Sequence, residues 1–177
     1  MSLLTSAVAA IIRDPVGRVL LCQQSQGHRL WGLPGGRVRH GESPIHAVSR
    51  DILAETGTET DIVDLVGIYQ LTGDGCGADL PDVLIHVFRG KVAVGDVTVN
   101  APGRIRRLAW FDPFELPEPV TATARAAVAD AVAGHSGVLR DVQRDHEPET
   151  PEAENPLPSQ TAEAAVPADP VPSAIAV

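Results

Sequence analysis

The stretch that decides the fold runs Gly36-Arg-Val-Arg-His-Gly-Glu-Ser-Pro-Ile-His-Ala-Val-Ser-Arg-Asp-Ile-Leu-Ala-Glu-Thr-Gly-Thr58. A glycine-containing loop leads into Ser43 and Pro44. This order is typical of a helix start, because a serine side chain accepts hydrogen bonds from the free N–H groups and proline fits the first helical position. Gly57 is typical of a helix end. We therefore predict a helix between these two signals.

The two sides of this helix carry different chemistry. Apolar residues recur at i, i+3 and i+7 and are predicted to face the core: Ile45, Val48 and Ile52. Asp51 and Glu55 are four residues apart, so their carboxylates share one face and can converge on one hard cation. Arg50 and Glu42 have opposite charges and can pair, which would hold the start of the helix against the preceding loop.

The same stretch resembles the Nudix box, in which a glycine, five residues, a glutamate and seven residues precede Arg-Glu-apolar-x-Glu-Glu-x-Gly-apolar. Six of its nine specified positions are matched, by Gly36, Glu42, Arg50, Ile52, Glu55 and Gly57. The segments 31–36 and 110–117 resemble the family's flanking segments, so the resemblance spans roughly residues 5–134. It implies an α/β fold, a Nudix-like α/β/α sandwich with a mixed β-sheet.

The resemblance also implies an activity, the hydrolysis of a phosphoanhydride, commonly in a nucleoside-diphosphate derivative. Mg²⁺ or Mn²⁺ would bridge the box carboxylates and the phosphate oxygens. By position, Asp51, Glu55 and the carbonyl of Gly35 would hold the metal, and Glu42 and Arg50 would shape the site. The implied catalytic set is Glu55, Asp51, Arg50 and Glu42. The candidates for substrate contact are Arg37, Arg39 and Trp31.

Departures from the pattern keep a second hypothesis open. Asp51 stands where the box has a longer glutamate, Ala54 replaces a carboxylate, and Thr58 replaces an apolar residue. The loop at 100–107, where many members carry an acid, has only bases: Arg104, Arg106 and Arg107. These arginines either bind an anionic ligand or are solvated. The alternative to an active hydrolase is a Nudix-like module that binds a ligand as a sensor and turns it over weakly or not at all.

The remaining segments predict strands and one further helix. Strands are expected at Thr5–Ile12 and Gly17–Gln23 as a hairpin, then at Ile62–Leu71, Val83–Val94 and Arg106–Phe111, with a helix in Val120–Ala133. The strand from Val83 is expected to bend at Arg89-Gly90. The loop Thr72–Pro81, with Asp74, Asp79 and Asp82 in or just after it, is a possible source of a missing carboxylate. Strands and helices interleave without a regular βαβ repeat, which favours a mixed sheet flanked by helices.

Charge and proline content divide the chain. The formal net charge is −9, which argues against a nucleic-acid backbone as the main partner. Residues 145–177 contain 7 of the 23 acids and none of the 14 Lys and Arg, so residues 1–144 carry 16 acids against 14 bases. The same segment has 7 of the 15 prolines and no aromatic residue. We predict a Nudix-like domain over 1–140 and an acidic, Pro/Ala/Glu-rich disordered tail over 145–177.

Two further features concern compartment and partners. Cys22 and Cys76 form no C-x-x-C motif and are expected to be reduced thiols. No apolar run reaches the roughly 18 residues of a membrane helix, and the first positive side chain, Arg13, follows the apolar start instead of preceding it. We expect a cytoplasmic protein whose partner is a small phosphoanhydride, with a homodimer as one option for assembly.

Overall fold

The structure is a computed structural model that describes residues 4–73, 81–92 and 96–144. Within these ranges lie eight strands and two helices. In chain order they are β1 (Thr5–Arg13), β2 (Val19–Gln24), β3 (Trp31–Gly32), β4 (Gly35–Arg37), α1 (Pro44–Thr56), β5 (Thr60–Thr72), β6 (Val83–Val92), β7 (Ile105–Phe111), α2 (Ala122–Val132) and β8 (Val138–Gln143). All of them belong to one compact unit, residues 1–147.

The strands form one mixed sheet in the order β3-β2-β1-β6-β5-β8, with β4 paired to β1 and β7 paired to β2. Two neighbouring pairs are parallel, β1 with β6 and β5 with β8, and the other pairs are antiparallel. The predicted mixed sheet is therefore confirmed. Its hairpin is also present, although β1 and β2 meet only at Arg13 and Val19.

The two helices cover opposite faces of this sheet. Alternate β1 residues belong to two separate core clusters, as the two-residue period of a strand requires. One cluster joins Val8, Ala10 and Ile12 to the α1 residues Ala47, Val48 and Ile52. The other joins Ala9 and Ile11 to the α2 residues Ala127, Val128 and Ala131. The predicted α/β/α sandwich is confirmed.

Helix α1 has the predicted ends. The Ser43 hydroxyl accepts from the His46 N–H at 3.3 Å, and Gly57, at φ 69°, donates its N–H to the Leu53 carbonyl at 2.9 Å. The placement of Ile45 on the buried face is wrong, because its side chain is 55% exposed. Asp51 and Glu55 share the inner face with Val48 and Ile52. The prediction considered apolar residues only. Because Asp51 and Glu55 are also buried, the buried face of α1 is centred on a different side of the helix from Ile45.

The remaining outcomes concern β6, β8 and the predictions that the described residues do not test. β6 runs through Arg89 and Gly90 as one strand to Val92. β8 was not among the predicted strands, and it pairs in parallel with β5, burying Val142. No helix of the described residues is long and apolar enough to cross a membrane. Cys76, Asp74, Asp79 and the proposed tail lie outside the described residues, so the division of the chain at 140 and 145 stays a prediction.

Candidate active site

Two glycines bring the backbone of β4 against both β1 and α1. A Cβ on Gly35, whose φ is 154°, would overlap the Val8 carbonyl oxygen of β1. A Cβ on Gly36 would lie 2.6 Å from the Asp51 Oδ2 atom of α1. Real Cβ atoms do not approach other atoms this closely. The absence of both side chains therefore lets the helix carboxylates reach the β4 main chain.

Glu55 is held between that main chain and an arginine. The residue is 2% exposed. Its Oε2 atom accepts from the Gly35 N–H at 3.0 Å, and its Oε1 atom accepts from Arg104 Nη2 at 2.8 Å. Burial raises the pKa of Glu55 to about 7, and the Gly35 N–H and the Arg104 charge partly offset that effect. Glu55 is thus a buried carboxylate whose charged form is favoured by the Gly35 N–H and by the Arg104 guanidinium.

Asp51 has one oxygen in use and one without a partner. Its Oδ1 atom accepts from Arg50 Nη1, whereas Oδ2 is buried and has no hydrogen-bond partner. Burial raises the pKa of Asp51, while the charges of Arg50 and Arg104 act in the opposite direction. A buried acceptor without a donor is costly in a folded protein. A carboxylate oxygen in that state is suited to bind a cation.

The predicted pairing of Glu42 with Arg50 is present. Arg50 donates from Nε and Nη2 to the two Glu42 oxygens at 2.8 and 2.9 Å, and Nη2 also reaches the Arg37 carbonyl at 3.1 Å. The Arg39 N–H donates to Glu42 Oε2 at 3.1 Å. These bonds lower the pKa of Glu42 to about 2, with the Arg50 hydrogen bonds as the largest cause. The pair ties the loop after β4 to α1, next to Asp51.

The loop that follows β6 carries Arg104 to the end of α1. The Asn100 N–H donates to the Glu55 carbonyl at 3.0 Å, and its Nδ2 atom donates to the Ala54 carbonyl at 3.2 Å. On the other side, the Ser25 N–H donates to the Arg104 carbonyl at 2.9 Å. These bonds anchor the loop backbone to both α1 and the segment after β2. They explain why a residue 49 positions from Glu55 contacts it.

Arg104 is the site residue that the sequence did not single out. It was expected to be solvated or to bind an anionic ligand, and its guanidinium instead contacts the protein's own Glu55. The same Nη2 atom lies 3.4 Å from the Gly35 carbonyl. The one residue in this loop that could have indicated its position is Asn100, because an asparagine side chain can donate to the free carbonyls at a helix end. That signal predicts a docked loop but does not select Arg104 from among three arginines.

The three candidates for substrate contact occupy different environments. Arg37 and Arg39 are exposed on β4 and the loop after it. Trp31 is only 6% exposed; its ring packs edge-on against Phe111 at 4.9 Å between centroids, with the Arg107 guanidinium 5.7 Å from its centroid. This burial favours a core role for Trp31. Substrate contact by these residues stays a prediction.

An open cavity of about 410 Å³ adjoins Glu55 and Arg104. Its other polar side chains come from the end of β2 and the segment that follows it: Gln24, Ser25 and Gln26. Ligand sites in proteins commonly measure 300–1,000 Å³. The volume of the cavity is therefore within the range of ligand sites, and Glu55 is the buried carboxylate that lines it.

The donor set fits one divalent ion incompletely. No group of three or more His, Cys, Asp or Glu side chains in the described ranges is arranged to hold a metal. Glu55 Oε1 and the Gly35 carbonyl oxygen nevertheless share one contact, Arg104 Nη2, and Asp51 is buried on the same helix as Glu55. Mg²⁺ usually completes its shell with water. Ala54 is exposed and contributes no ligand. The set suits a single hydrated ion, provided that Arg104 leaves Glu55 and Gly35.

Comparison with known proteins places the chain in a family. Residues 3–131 match the model of the NUDIX domain. A MutT-like protein of Streptomyces ambofaciens is 26% identical over 140 residues, 79% of this chain and 84% of that protein. A putative 8-oxo-dGTP diphosphatase of Bacillus subtilis is 31% identical over 113 residues, 64% and 70% of the two chains. The crystal structure of a MutT NUDIX hydrolase from Burkholderia pseudomallei superimposes with a TM-score of 0.66 at 28% identity, over 72% of this chain and 98% of that one. The chain belongs to the Nudix hydrolase family.

Proposed function

We propose that this protein hydrolyses a phosphoanhydride bond in a nucleoside-diphosphate-linked or related substrate, with Mg²⁺ or Mn²⁺ as cofactor. The observation that carries the proposal is the buried Asp51 Oδ2 atom without a partner, next to a second buried carboxylate on the same helix face. Two buried acids on one face are costly unless a cation neutralises them. A divalent ion at this place would do so.

Each proposed site residue has a separate task. Asp51, Glu55 and the Gly35 carbonyl would hold the ion, which when bound neutralises phosphate charge and favours an attacking hydroxide. The Glu42–Arg50 pair would hold the loop after β4 against α1. Because Arg50 also donates to Asp51, the pair would orient that carboxylate. Arg37 and Arg39 would attract the phosphates from the exposed side of that loop.

The substrate class is proposed from the cavity and from relatives. The cavity beside Glu55 offers amide and hydroxyl groups from Gln24, Ser25 and Gln26, which suit a polar, nucleotide-like group. The relatives include a putative 8-oxo-dGTP diphosphatase and several proteins named RNA pyrophosphohydrolase, the latter 33% identical over 63 residues in Saccharophagus degradans. Nucleoside triphosphates, 8-oxo-dGTP among them, are therefore the first substrates to test, followed by ADP-ribose and dinucleoside polyphosphates.

One observation favours the second candidate, a ligand-binding module with weak or no turnover. Ala54 supplies no carboxylate, and Arg104 contacts two atoms that the ion would need. Such a site could retain a phosphate ligand through its arginines alone. It would then bind nucleotides without Mg²⁺ and release them unchanged.

The deciding experiment measures phosphate-containing products from these substrates while Mg²⁺ or Mn²⁺ is titrated. Glu55→Gln removes the charge of a proposed ligand and should abolish metal-dependent hydrolysis. Glu59→Gln makes the same change at an exposed carboxylate outside the site and should leave the rate unchanged. Nucleotide binding without product formation by the wild-type protein, at every metal concentration, would replace the hydrolase proposal with the binding module.

A further inference from the structure

Two of the three proposed metal-binding groups already contact a cation that belongs to the protein. Arg104 Nη2 donates to Glu55 Oε1 at 2.8 Å and lies 3.4 Å from the Gly35 carbonyl oxygen. The guanidinium thus stands at the place that the metal proposal assigns to the ion.

Arg104 can leave this place without disturbing the core. Its side chain is 56% exposed, whereas that of Glu55 is 3% exposed. The loop backbone is held independently, by Ser25 on the Arg104 carbonyl and by Asn100 on α1. Movement of the guanidinium therefore requires rotation of one long side chain, with no shift of the loop.

A guanidinium and a divalent ion cannot both contact Glu55 Oε1 and the Gly35 carbonyl. Both are cations, so their mutual repulsion adds to the steric conflict. Only one of them can occupy the site. Since the buried charge of Glu55 needs a cation in either state, each state is stabilised by its own occupant.

We propose that Arg104 is an exchangeable internal cation: it neutralises Glu55 in the metal-free protein, and a divalent ion must displace it. This inference rests on the proposed function only in placing the ion at Asp51, Glu55 and Gly35. Displacement weakens the apparent affinity for the metal. It also releases the guanidinium at the edge of the cavity that Arg104 lines, where it can bind a substrate phosphate.

The test is calorimetric titration of the full-length protein with MnCl₂ and with MgCl₂ at constant ionic strength. Arg104→Gln removes the competing charge, so we expect its metal affinity to rise at least about tenfold, or about 1.4 kcal/mol. Arg106→Gln removes an exposed arginine two residues away and should bind metal as the wild-type protein does. At saturating metal, Arg104→Gln should bind ADP several-fold more weakly than either.

An ordinary structural ion pair would behave in the opposite way. Its loss would leave Glu55 displaced or protonated and would weaken metal binding, so unchanged or weaker affinity in Arg104→Gln overturns the exchange. Arg104→Lys provides a second variant if Arg104→Gln does not fold. It keeps the charge but replaces the Nη2 atom that contacts both acceptors with a shorter, more mobile ammonium group. Its metal affinity should lie between those of the wild type and Arg104→Gln.

The outcome for the proposed function is read separately, from the wild-type turnover. Tighter metal binding by Arg104→Gln together with no hydrolysis by the wild type supports the exchange and contradicts the hydrolase. Metal-dependent hydrolysis by the wild type together with equal metal affinities overturns the exchange and supports the hydrolase.

Discussion

Gly36 and Asp51 are in such close contact that a methyl group on Gly36 would lie 2.6 Å from the Asp51 Oδ2 atom. This oxygen is the one without a hydrogen-bond partner. The backbone of β4 and the inner face of α1 therefore define the position of this carboxylate from two sides. Arg50 restrains it from a third side through Oδ1.

The first prediction concerns this contact. Gly36→Ala should push the Asp51 carboxylate out of position and lower the affinity for Mg²⁺ or Mn²⁺ by about 10- to 100-fold, as loss of an orienting neighbour commonly does. Calorimetric titration measures it. Gly90→Ala is a matched control, because its Cβ would lie 2.7 Å from Thr60 Cγ2, outside the site. Gly90→Ala should lose about 1–3 kcal/mol of stability and bind metal with unchanged affinity. If both variants lost the same amount of metal affinity, the prediction would be contradicted.

The second prediction concerns the missing carboxylate. Ala54 is exposed on α1, three residues after Asp51, so Ala54→Glu buries no charge and loses little helix propensity. We expect tighter Mg²⁺ binding and turnover that is higher at least several-fold. Ala54→Gln has the same size without the charge and should show neither gain. Asp51→Glu combined with Ala54→Glu should couple, because both side chains would share one ion. Steady-state rates of the wild type, Ala54→Glu, Ala54→Gln, Asp51→Glu and the double variant decide this. An equal gain in Ala54→Gln would exclude a ligand role for the new carboxylate.

The third prediction concerns acid stability. Asp130 on α2 is 5% exposed and accepts from Arg140 Nε and Nη2 at 3.0 and 2.6 Å, from the Tyr69 hydroxyl at 3.0 Å and from His135 Nδ1 at 2.9 Å. The Arg140 hydrogen bonds are the main reason that the pKa of Asp130 lies well below its ordinary value. A lowered folded-state pKa contributes stability that is complete above the unfolded-state pKa, near 4, and is lost as the pH falls towards the folded-state value.

Asp130→Asn should therefore lose about 2 kcal/mol at neutral pH and a smaller amount as the pH falls below about 4. Urea unfolding at several pH values measures the difference. Asp141→Asn changes an exposed aspartate on β8 and should match the wild type throughout. A difference between Asp130→Asn and wild type that does not vary with pH would show that Asp130 does not carry this dependence.

The fourth prediction concerns the end of the domain. A chain ending at Arg144 keeps all of β8 and the bonds that Arg144 makes, from its N–H to the Thr72 carbonyl at 2.9 Å and from Nη2 to the Pro81 carbonyl at 2.7 Å. Its stability should stay within about 1 kcal/mol of the full-length value. A chain ending at Arg140 loses half of β8 with the buried Val142 and should be less stable by more than about 2 kcal/mol. Similar stabilities for the two truncated chains would mean that β8 contributes little.

The sequence by itself determined the features that depend on neighbouring residues. The two ends of α1 follow from Ser43, Pro44 and Gly57, whose effects act within one helical turn. The placement of Asp51 and Glu55 on one buried helix face follows from their spacing, and the pairing of Glu42 with Arg50 follows from their opposite charges. The family and its sandwich fold followed from the same short stretch.

Only the tertiary structure decided the features that join distant segments. The contact of Arg104 with Glu55 depends on a loop docked by Asn100 and Ser25, and nothing in the local sequence distinguishes this arginine from Arg106. The burial of Trp31 and the parallel pairing of β8 with β5 likewise depend on packing partners far along the chain. Local propensities act over a few residues. Which cation pairs with the buried carboxylate of Glu55 depends instead on the distant backbone segments that the fold brings together.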